Sequence, residues 1–231
     1  MHTELDDVGA VLAGNPYPGR GVVWARTLDG RLAAGYFLTG RTAASQGRCL
    51  RLHGDELVVA ALGEPGHDPL RHYTAARQRG DRLVYGNGEQ VAQVADRLAA
   101  GATPTEALGG LAYEPDPPVF TPRITVVADL RDGAAWFGAA RRPRGTRTGA
   151  DVMTLALAEL APGDALLMTT YRSDGRTPAT AEPYVEARTA ATDRHELLTT
   201  LWSALPTDLR VAATTFEPDQ LSGAGIVSCR S

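Results

Sequence analysis

The sequence contains no lysine: all 23 of its lysine-or-arginine positions, in 231 residues, are arginine. This absence excludes chemistry that needs a lysine ammonium, such as Schiff-base aldolases, pyridoxal-phosphate enzymes and nucleotidases with a Walker lysine. Arginine is therefore the only permanent cation, and its planar fork suits phosphates and carboxylates. A lysine-free chain rich in alanine and arginine is also typical of a GC-rich coding sequence, which explains why arginine replaces lysine. The exclusion of lysine chemistry holds whatever the origin of this composition.

Cysteine is scarce and long apolar runs are missing. The two cysteines, Cys49 and Cys229, lie far apart without metal-ligand spacing, which argues against a disulfide framework or a zinc site and favours a reducing cytosol. No apolar run approaches the roughly 18 residues that span a bilayer, and the acidic N-terminus is unlike a signal peptide. The net charge of −4 argues against a nucleic-acid partner. We therefore expect a cytoplasmic protein with neither a membrane nor a nucleic acid as partner.

Short strands joined by turn residues dominate the pattern of apolar and polar residues. Strands are predicted at residues 20–26, 31–39, 49–53, 57–62, 72–78, 82–85, 123–130, 134–140, 165–172 and 209–216, with a strand or short helix near 152–159. Helical periodicity predicts helices over residues 90–100 and 105–111, and a capping box of Asp193 and Glu196 predicts a helix over residues 194–204. This mixture favours a single α+β domain over residues 1–231, with antiparallel sheets and helices packed outside them.

Three common catalytic motifs, G-x-S-x-G, H-E-x-x-H and a phosphate-binding G-x-G-x-x-G, are absent. Four other segments stand out from ordinary strand and loop sequence. They are residues 15–21 (NPYPGRG), 35–48 (GYFLTGRTAASQGR), 85–88 (YGNG) and 113–124 (YEPDPPVFTPRI). A structural turn explains each of them alone. Together they indicate a ligand site, because loops that follow strands commonly carry polar ligand contacts.

These four segments, in this order and spacing, resemble the archaeal-type IMP cyclohydrolase family and its bacterial relatives. The resemblance continues through residues 169–183 and covers roughly residues 13 to 217. It implies a fold similar to that of N-terminal-nucleophile (Ntn) hydrolases, a four-layer αββα sandwich of two antiparallel sheets. We expect no N-terminal nucleophile of that class, because Met1 is followed by the bulky His2 and not by Ser, Thr or Cys.

The resemblance implies closure of 5-formamidoimidazole-4-carboxamide ribonucleotide (FAICAR) to inosine monophosphate (IMP), with loss of water, in purine biosynthesis. It implies a purine nucleotide as the small-molecule partner and requires neither a metal nor an organic cofactor. Because ring closure is intramolecular, the enzyme mainly has to hold a near-attack conformer and stabilise charge on the formyl oxygen.

Nine residues are expected to serve this reaction. We expect Glu114 to engage the carboxamide N–H and accept a proton, Arg123 to hold Glu114 ionised or to donate to the oxyanion, and Tyr73 to assist by hydrogen bonding. The expected substrate-binding residues are Arg20, Arg41 and Arg48 at the phosphate, with Tyr36, Asn87 and Asp116.

One segment departs from the family pattern. Relatives typically carry Ser-Arg-Asn-Arg where this chain has Ser45-Gln46-Gly47-Arg48, so one cation and one amide are missing. Two alternatives therefore stay open. The first is a repurposed cyclase or amidohydrolase for a related carboxamide nucleotide in specialised metabolism. The second is a nucleotide-binding protein without catalysis. A homo-oligomer is compatible with the sequence, which does not indicate its size.

Overall fold

The computed structural model describes residues 4–62, 70–143, 146–157, 159–172 and 184–228. Contacts within the chain form two compact units: unit 1 comprises residues 1–47 and 160–231, and unit 2 comprises residues 48–159. Two parts of the sequence discussed above lie outside the described residues. They are Cys229 and residues 173–183, the end of the segment 169–183 through which the family resemblance continues.

Thirteen strands and five α-helices occur in the described ranges, with one 3-10 helix at Leu221–Gly223. In chain order they are α1 Val8–Ala13, β1 Arg20–Arg26, β2 Leu32–Thr39, α2 Ala43–Gln46, β3 Arg48–His53, β4 Glu56–Ala61, β5 Tyr73–Arg79, β6 Arg82–Gly86, α3 Gln90–Ala99, α4 Pro104–Leu108, β7 Arg123–Asp129, β8 Ala135–Arg141, β9 Asp151–Leu157, β10 Asp164–Thr169, β11 Val185–Arg188, α5 Arg194–Ala204, β12 Arg210–Phe216 and β13 Gly225–Ser228. None of these helices is both long and apolar enough to cross a membrane.

Unit 1 is built on a six-stranded antiparallel sheet with the order β11-β10-β1-β2-β12-β13. Alternate strand residues such as Val23 and Phe37 pack with Leu12 of α1 and with Leu197 and Leu201 of α5 in one apolar cluster. Since side chains alternate across a strand, this face of the sheet is the helix-facing one. The alternation therefore decides which strand residues are directed away from the helices.

Unit 2 is a seven-stranded antiparallel sheet whose strands follow chain order from β3 to β9. Its apolar cluster joins Val84 and Val127 of the sheet with Val91 and Val94 of α3 and Leu108 of α4. Helix α3 presents these valines on one face, as the i, i+3 spacing in the sequence predicts. This helix packs against β5 and β6 and also contacts β7, and β6 and β7 are the two strands that carry the candidate site.

The two antiparallel sheets with a few helices confirm the α+β class. The four-layer order of the Ntn-like sandwich and the single domain over residues 1–231 stay predictions. Most predicted strands are confirmed within one to three residues at each end, and the segment near residues 152–159 is the strand β9. Tight turns account for this agreement, as at Gly80, whose positive φ of 53° joins β5 to β6.

Some elements differ from the sequence prediction. The small-residue loop expected after Gly40 contains the short helix α2, because Thr42 and Ser45 form a reciprocal capping box. Helix α1 begins where Asp7 accepts hydrogen bonds from two backbone N–H groups. Strands β11 and β13, four residues each, lie at the edges of the unit 1 sheet and are too short for a recognisable alternation.

Helix caps also differ in detail from those expected. The predicted N-cap Asp193 of α5 does accept from the N–H groups of His195 and Glu196, but the Glu196 carboxylate accepts from Thr192, not from Asp193. Helix α4 begins earlier than predicted, at Pro104, and ends at Leu108 before two glycines.

Asp129, at the end of β7, provides a test of the electrostatics of unit 2. The buried carboxylate accepts hydrogen bonds from the Arg131 guanidinium and lies 2.7 Å from the Arg82 Nη1. The Arg131 hydrogen bond, assisted by the charges of Arg131 and Arg82, lowers the pKa of Asp129 to about 2. The unfolded chain, with a pKa near 3.9, binds this proton at higher pH, so the contribution is complete above about pH 4 and is lost as pH falls toward 2.

We predict that Asp129→Asn lowers the free energy of unfolding by about 2 kcal/mol at pH 7, and that the difference from the wild type shrinks between pH 4 and pH 2.5. Urea denaturation at several pH values measures both quantities. Asp81→Asn is the matched control: its carboxylate is exposed and 3.9 Å from Arg131, so a change below about 0.5 kcal/mol is expected. A pH-independent effect of Asp129→Asn would contradict the prediction.

Candidate functional site

The YEPD segment of unit 2 folds into a turn that its own side chains hold. Asp116 accepts hydrogen bonds from the Thr121 backbone N–H at 2.7 Å and from the Thr121 hydroxyl. The Glu114 backbone N–H donates to the Thr121 carbonyl at 2.8 Å. Glu114 is buried, with 3% of its surface exposed. Asp116, predicted to bind substrate, therefore has a visible structural use: it closes the turn that positions Glu114.

Asn87 links this turn to the two neighbouring strands. It follows β6, is fully buried, and its Oδ1 accepts from the Ile124 backbone N–H at 2.7 Å. Its Nδ2 donates to the Pro122 carbonyl at 2.9 Å and approaches the Glu114 Oε1 at 3.5 Å. Asn87, predicted as a substrate-binding residue, thus lies next to the predicted catalytic carboxylate.

Gln90 completes this network, and the only sequence signal for it was its position two residues after the YGNG segment. Its Nε2 donates to the Asn87 Oδ1 at 3.1 Å and to the Thr125 hydroxyl at 3.3 Å. Gln90 is the first residue of α3 and is fully buried. The direction of each hydrogen bond in this buried network is fixed, because an amide donates only through its nitrogen and accepts only through its oxygen.

Arg123 forms an ion pair with Glu89, and not with Glu114 as expected from the sequence. Its Nη2 donates to the Glu89 Oε1 at 2.8 Å, and its side chain is 10% exposed while that of Glu89 is 47% exposed. Opposite Arg123 in the sheet is Ala140, which belongs to the cluster under α3 and α4. Arg123 is therefore directed to the helix-facing side of the sheet, next to the start of α3. Its Nε is buried and has no hydrogen-bond partner among the described residues.

Tyr73 and Arg48 lie on the opposite face of the same sheet. Leu50 pairs with Val59 and Val59 with Tyr73, so these three share a face, and Arg48 shares it by strand alternation. Both predicted site residues are buried, at 4% and 6% exposed. Tyr85 is on this face too, and burial raises the pKa of its hydroxyl well above the ordinary value. That hydroxyl consequently stays protonated at neutral pH.

Arg20 and Tyr36 belong to unit 1, where they share a face of the sheet. Val22 pairs with Tyr36, and Arg20 lies two residues before Val22 on the same strand. This face points away from α1 and α5, whose contacts are with the alternate residues. Thr214, directly beside Tyr36 on β12, is fully buried, and its hydroxyl has no partner among the described residues. The sequence carried no signal for Thr214, since only strand pairing places it there.

Arg41, the other predicted phosphate contact of unit 1, packs on aromatic rings. Its guanidinium lies 4.7 Å from the centroid of the Tyr17 ring, and Tyr17 stacks on Tyr171 with centroids 5.5 Å apart. The Asn15 Nδ2 donates to the Tyr171 carbonyl at 2.8 Å. The NPYPG segment therefore supplies a ring that holds the exposed Arg41 side chain by cation–π attraction.

The residue that departs from the family pattern has a structural role. The Gln46 Nε2 donates to the Gly40 carbonyl at 3.2 Å and to the Asp208 carbonyl at 3.0 Å. These bonds fasten α2 to the end of β2 and to the segment before β12. Where relatives carry an arginine, this chain therefore has an amide that binds two backbone oxygens. An arginine would reach those oxygens in a different geometry.

The described residues contain no group of three or more His, Cys, Asp or Glu side chains placed to share a metal ion. The candidate site in unit 2 instead consists of one carboxylate, two amides, an arginine and its ionic partner. It is an arrangement suited to accepting and donating hydrogen bonds to a polar organic molecule.

Comparison with known proteins agrees with the resemblance read from the sequence. One curated relative, the IMP cyclohydrolase of Methanopyrus kandleri, is 32% identical over 111 residues. The match covers 42% of this chain and 56% of that protein, so little more than half of the relative's length is matched. The model of the IMP cyclohydrolase-like protein family matches a much longer stretch, residues 17–220. The chain belongs to the IMP cyclohydrolase-like protein family.

Proposed function

We propose that this chain closes FAICAR to IMP with loss of water, as the name of its curated relative suggests. The observation that carries the proposal is the buried group of Glu114, Asn87 and Gln90, in which a carboxylate oxygen adjoins the Asn87 amide and Asn87 in turn accepts from Gln90. Ring closure needs an acceptor for a carboxamide proton in a place where water does not compete, and a buried carboxylate supplies it. The cytoplasm is the proposed location, on the grounds of its cysteine usage.

The proposed reaction has the following balance. The carboxamide nitrogen forms a bond to the formyl carbon, and one of its protons passes to Glu114. The formyl oxygen leaves as water after receiving two protons, one by way of Glu114 and one from the formamido nitrogen. The product ring keeps one hydrogen on the nitrogen that attacked. Because both reacting groups are on one molecule, correct positioning supplies most of the rate enhancement.

Arg123 is proposed as the donor that stabilises the developing oxyanion. One of its nitrogens holds Glu89 and its Nε has no partner among the described residues. This geometry supports the oxyanion role over the alternative that Arg123 holds Glu114 ionised, because the ion pair formed is with Glu89. Buried, fixed donors of this kind stabilise transition-state charge better than mobile water.

Six further residues are proposed as substrate contacts. Arg20, Arg41 and Arg48 are proposed to contribute cations for the 5′-phosphate, which an arginine binds through two N–H groups at once. Tyr36, Tyr73 and Asn87 are proposed as hydrogen-bonding partners of the base or ribose. A seventh residue, Asp116, also stays a proposed contact, and its carboxylate accepts two hydrogen bonds from Thr121 as well.

The alternative of a related carboxamide nucleotide rested on the departure at Gln46 and Gly47. The hydrogen bonds of Gln46 to two backbone carbonyls explain that residue without a change of substrate, so they favour FAICAR. We expect purified protein to convert FAICAR to a product with the ultraviolet spectrum of IMP. Absence of turnover, combined with binding of another carboxamide nucleotide, would instead support the alternative.

The carboxylate role of Glu114 predicts that Glu114→Gln lowers kcat at least about 100-fold, because the amide cannot accept the proton. Steady-state turnover of FAICAR measures the loss, and the melting temperature shows whether the variant is folded. Glu106→Gln is the matched control: this exposed carboxylate caps α4 and its loss should leave turnover within about twofold. A folded Glu114→Gln with full activity would rule out the mechanism.

The donor role of Arg123 predicts a comparable loss, at least about 100-fold in kcat for Arg123→Ala. Arg123→Lys should recover little, because an ammonium cannot bond Glu89 and keep a donor in the Nε direction. Arg79→Ala, which removes an exposed arginine of the same unit, serves as the control. If Arg123→Lys keeps wild-type turnover, the charge alone suffices and the directional donor is unnecessary.

A further inference from the structure

The orientation of the Gln90 amide follows from the backbone of β7. The Ile124 N–H is a donor, so the Asn87 atom 2.7 Å from it must be the oxygen Oδ1. The Asn87 nitrogen then donates to the Pro122 carbonyl, which only accepts. The Gln90 atom 3.1 Å from the Asn87 Oδ1 must be a donor and is therefore Nε2. These donors and acceptors fix the orientation of the Gln90 amide, so that its nitrogen and oxygen cannot be interchanged.

The oxygen of this amide lacks a hydrogen-bond donor among the described residues. Gln90 is fully buried, and its Oε1 has no hydrogen-bond partner among the described residues. A buried acceptor without a donor costs free energy, and native structures usually avoid it. Such an atom is explained when a bound molecule supplies the missing donor.

The unsatisfied oxygen lies close to Glu114. A Cβ placed on Gly88 would be 2.6 Å from the Gln90 Oε1 and 3.2 Å from the Glu114 Oε1. The two oxygens are thus separated by no more than the sum of these distances, on the same side of the Gly88 backbone. Glycine at position 88 leaves open the space that a side chain would fill between them.

Two acceptors at this separation match an amino group that has two hydrogens. A planar –NH₂ that donates to two oxygens at roughly 2.9 Å each holds them about 5 Å apart, which is within the limit just given. The substrate of the proposed function has such a group in its carboxamide. We infer that Gln90 is a substrate-binding residue whose Oε1 accepts one hydrogen of the carboxamide –NH₂ while Glu114 accepts the other.

This inference rests on the proposed function and gives the two hydrogens different fates. The second acceptor fixes the plane of the carboxamide, so that the hydrogen transferred is the one that points to Glu114. After ring closure the same nitrogen carries a single hydrogen, which is the one bonded to the Gln90 Oε1. Gln90 therefore binds both the open carboxamide and the closed ring of IMP, whereas a purine nucleotide without a hydrogen on that nitrogen does not engage it.

Gln90→Met tests this role, because methionine has a similar length and lacks the acceptor. We expect kcat/KM for FAICAR and the affinity for IMP, measured by calorimetry, each to fall about tenfold. The affinity for purine riboside monophosphate, which has no hydrogen on the corresponding nitrogen, should change less than about threefold. Gln78→Met is the control: it makes the same substitution at a glutamine of β5 outside the site, so all three quantities should stay within about threefold. If Gln90→Met does not fold, Gln90→Leu, which also lacks the acceptor, replaces it and should cause the same selective loss.

Equal losses for IMP and purine riboside monophosphate, or a Gln78→Met variant that reproduces the selective loss, would overturn the inference and leave Gln90 a structural residue. Failure of the proposed function has a separate signature, which is wild-type protein without turnover of FAICAR. In that case the inference is decided by binding of the unformylated carboxamide ribonucleotide: Gln90→Met should weaken it about tenfold relative to purine riboside monophosphate. Wild-type protein that binds neither nucleotide would overturn both proposals.

Discussion

The hydrogen bond from the Ile124 backbone N–H to the Asn87 side chain is the contact on which the candidate site depends. A buried N–H at the start of a strand requires an acceptor, and Asn87 meets this need while its other end binds the Pro122 carbonyl. The loop after β6 is thereby fastened to the segment that leads into β7. The positions of Gln90 and of the carboxylate of Glu114 both follow from it.

The acidic residues of this region have three different uses. Asp116 closes a turn, Glu89 holds Arg123, and Glu114 is buried next to two amides. A turn residue and an ion-pair partner are structural uses, whereas Glu114 lies near the unsatisfied Oε1 of Gln90, an acceptor that the proposed substrate would satisfy. The spacing of the acids along the chain does not separate these uses; their partners in space do.

Local patterns predicted the fold better than they predicted the site. The bounds of β1 and α5 could be read from the sequence because a turn or a cap lies directly beside each. Helix α2, by contrast, has only four residues, Ala43–Gln46, which is too few to show periodicity. Within the site, Glu114 and Asn87 were recognised through the family resemblance, but the Arg123–Glu89 pair joins residues 34 positions apart. Pairing of this kind depends on which strands are neighbours, which a single sequence does not encode locally.

The absence of lysine acquires a physical meaning in this structure. Arg20, Arg48 and Arg123 are all at most 8% exposed, and burial disfavours the charged form of a cation. A lysine ammonium in such places readily loses its proton, whereas a guanidinium stays charged and spreads its donors over three nitrogens. Arg123 illustrates the difference, because it binds Glu89 with one nitrogen while its Nε has no partner among the described residues. Whatever the origin of the bias in the coding sequence, a site built on buried cations restricts those positions to arginine.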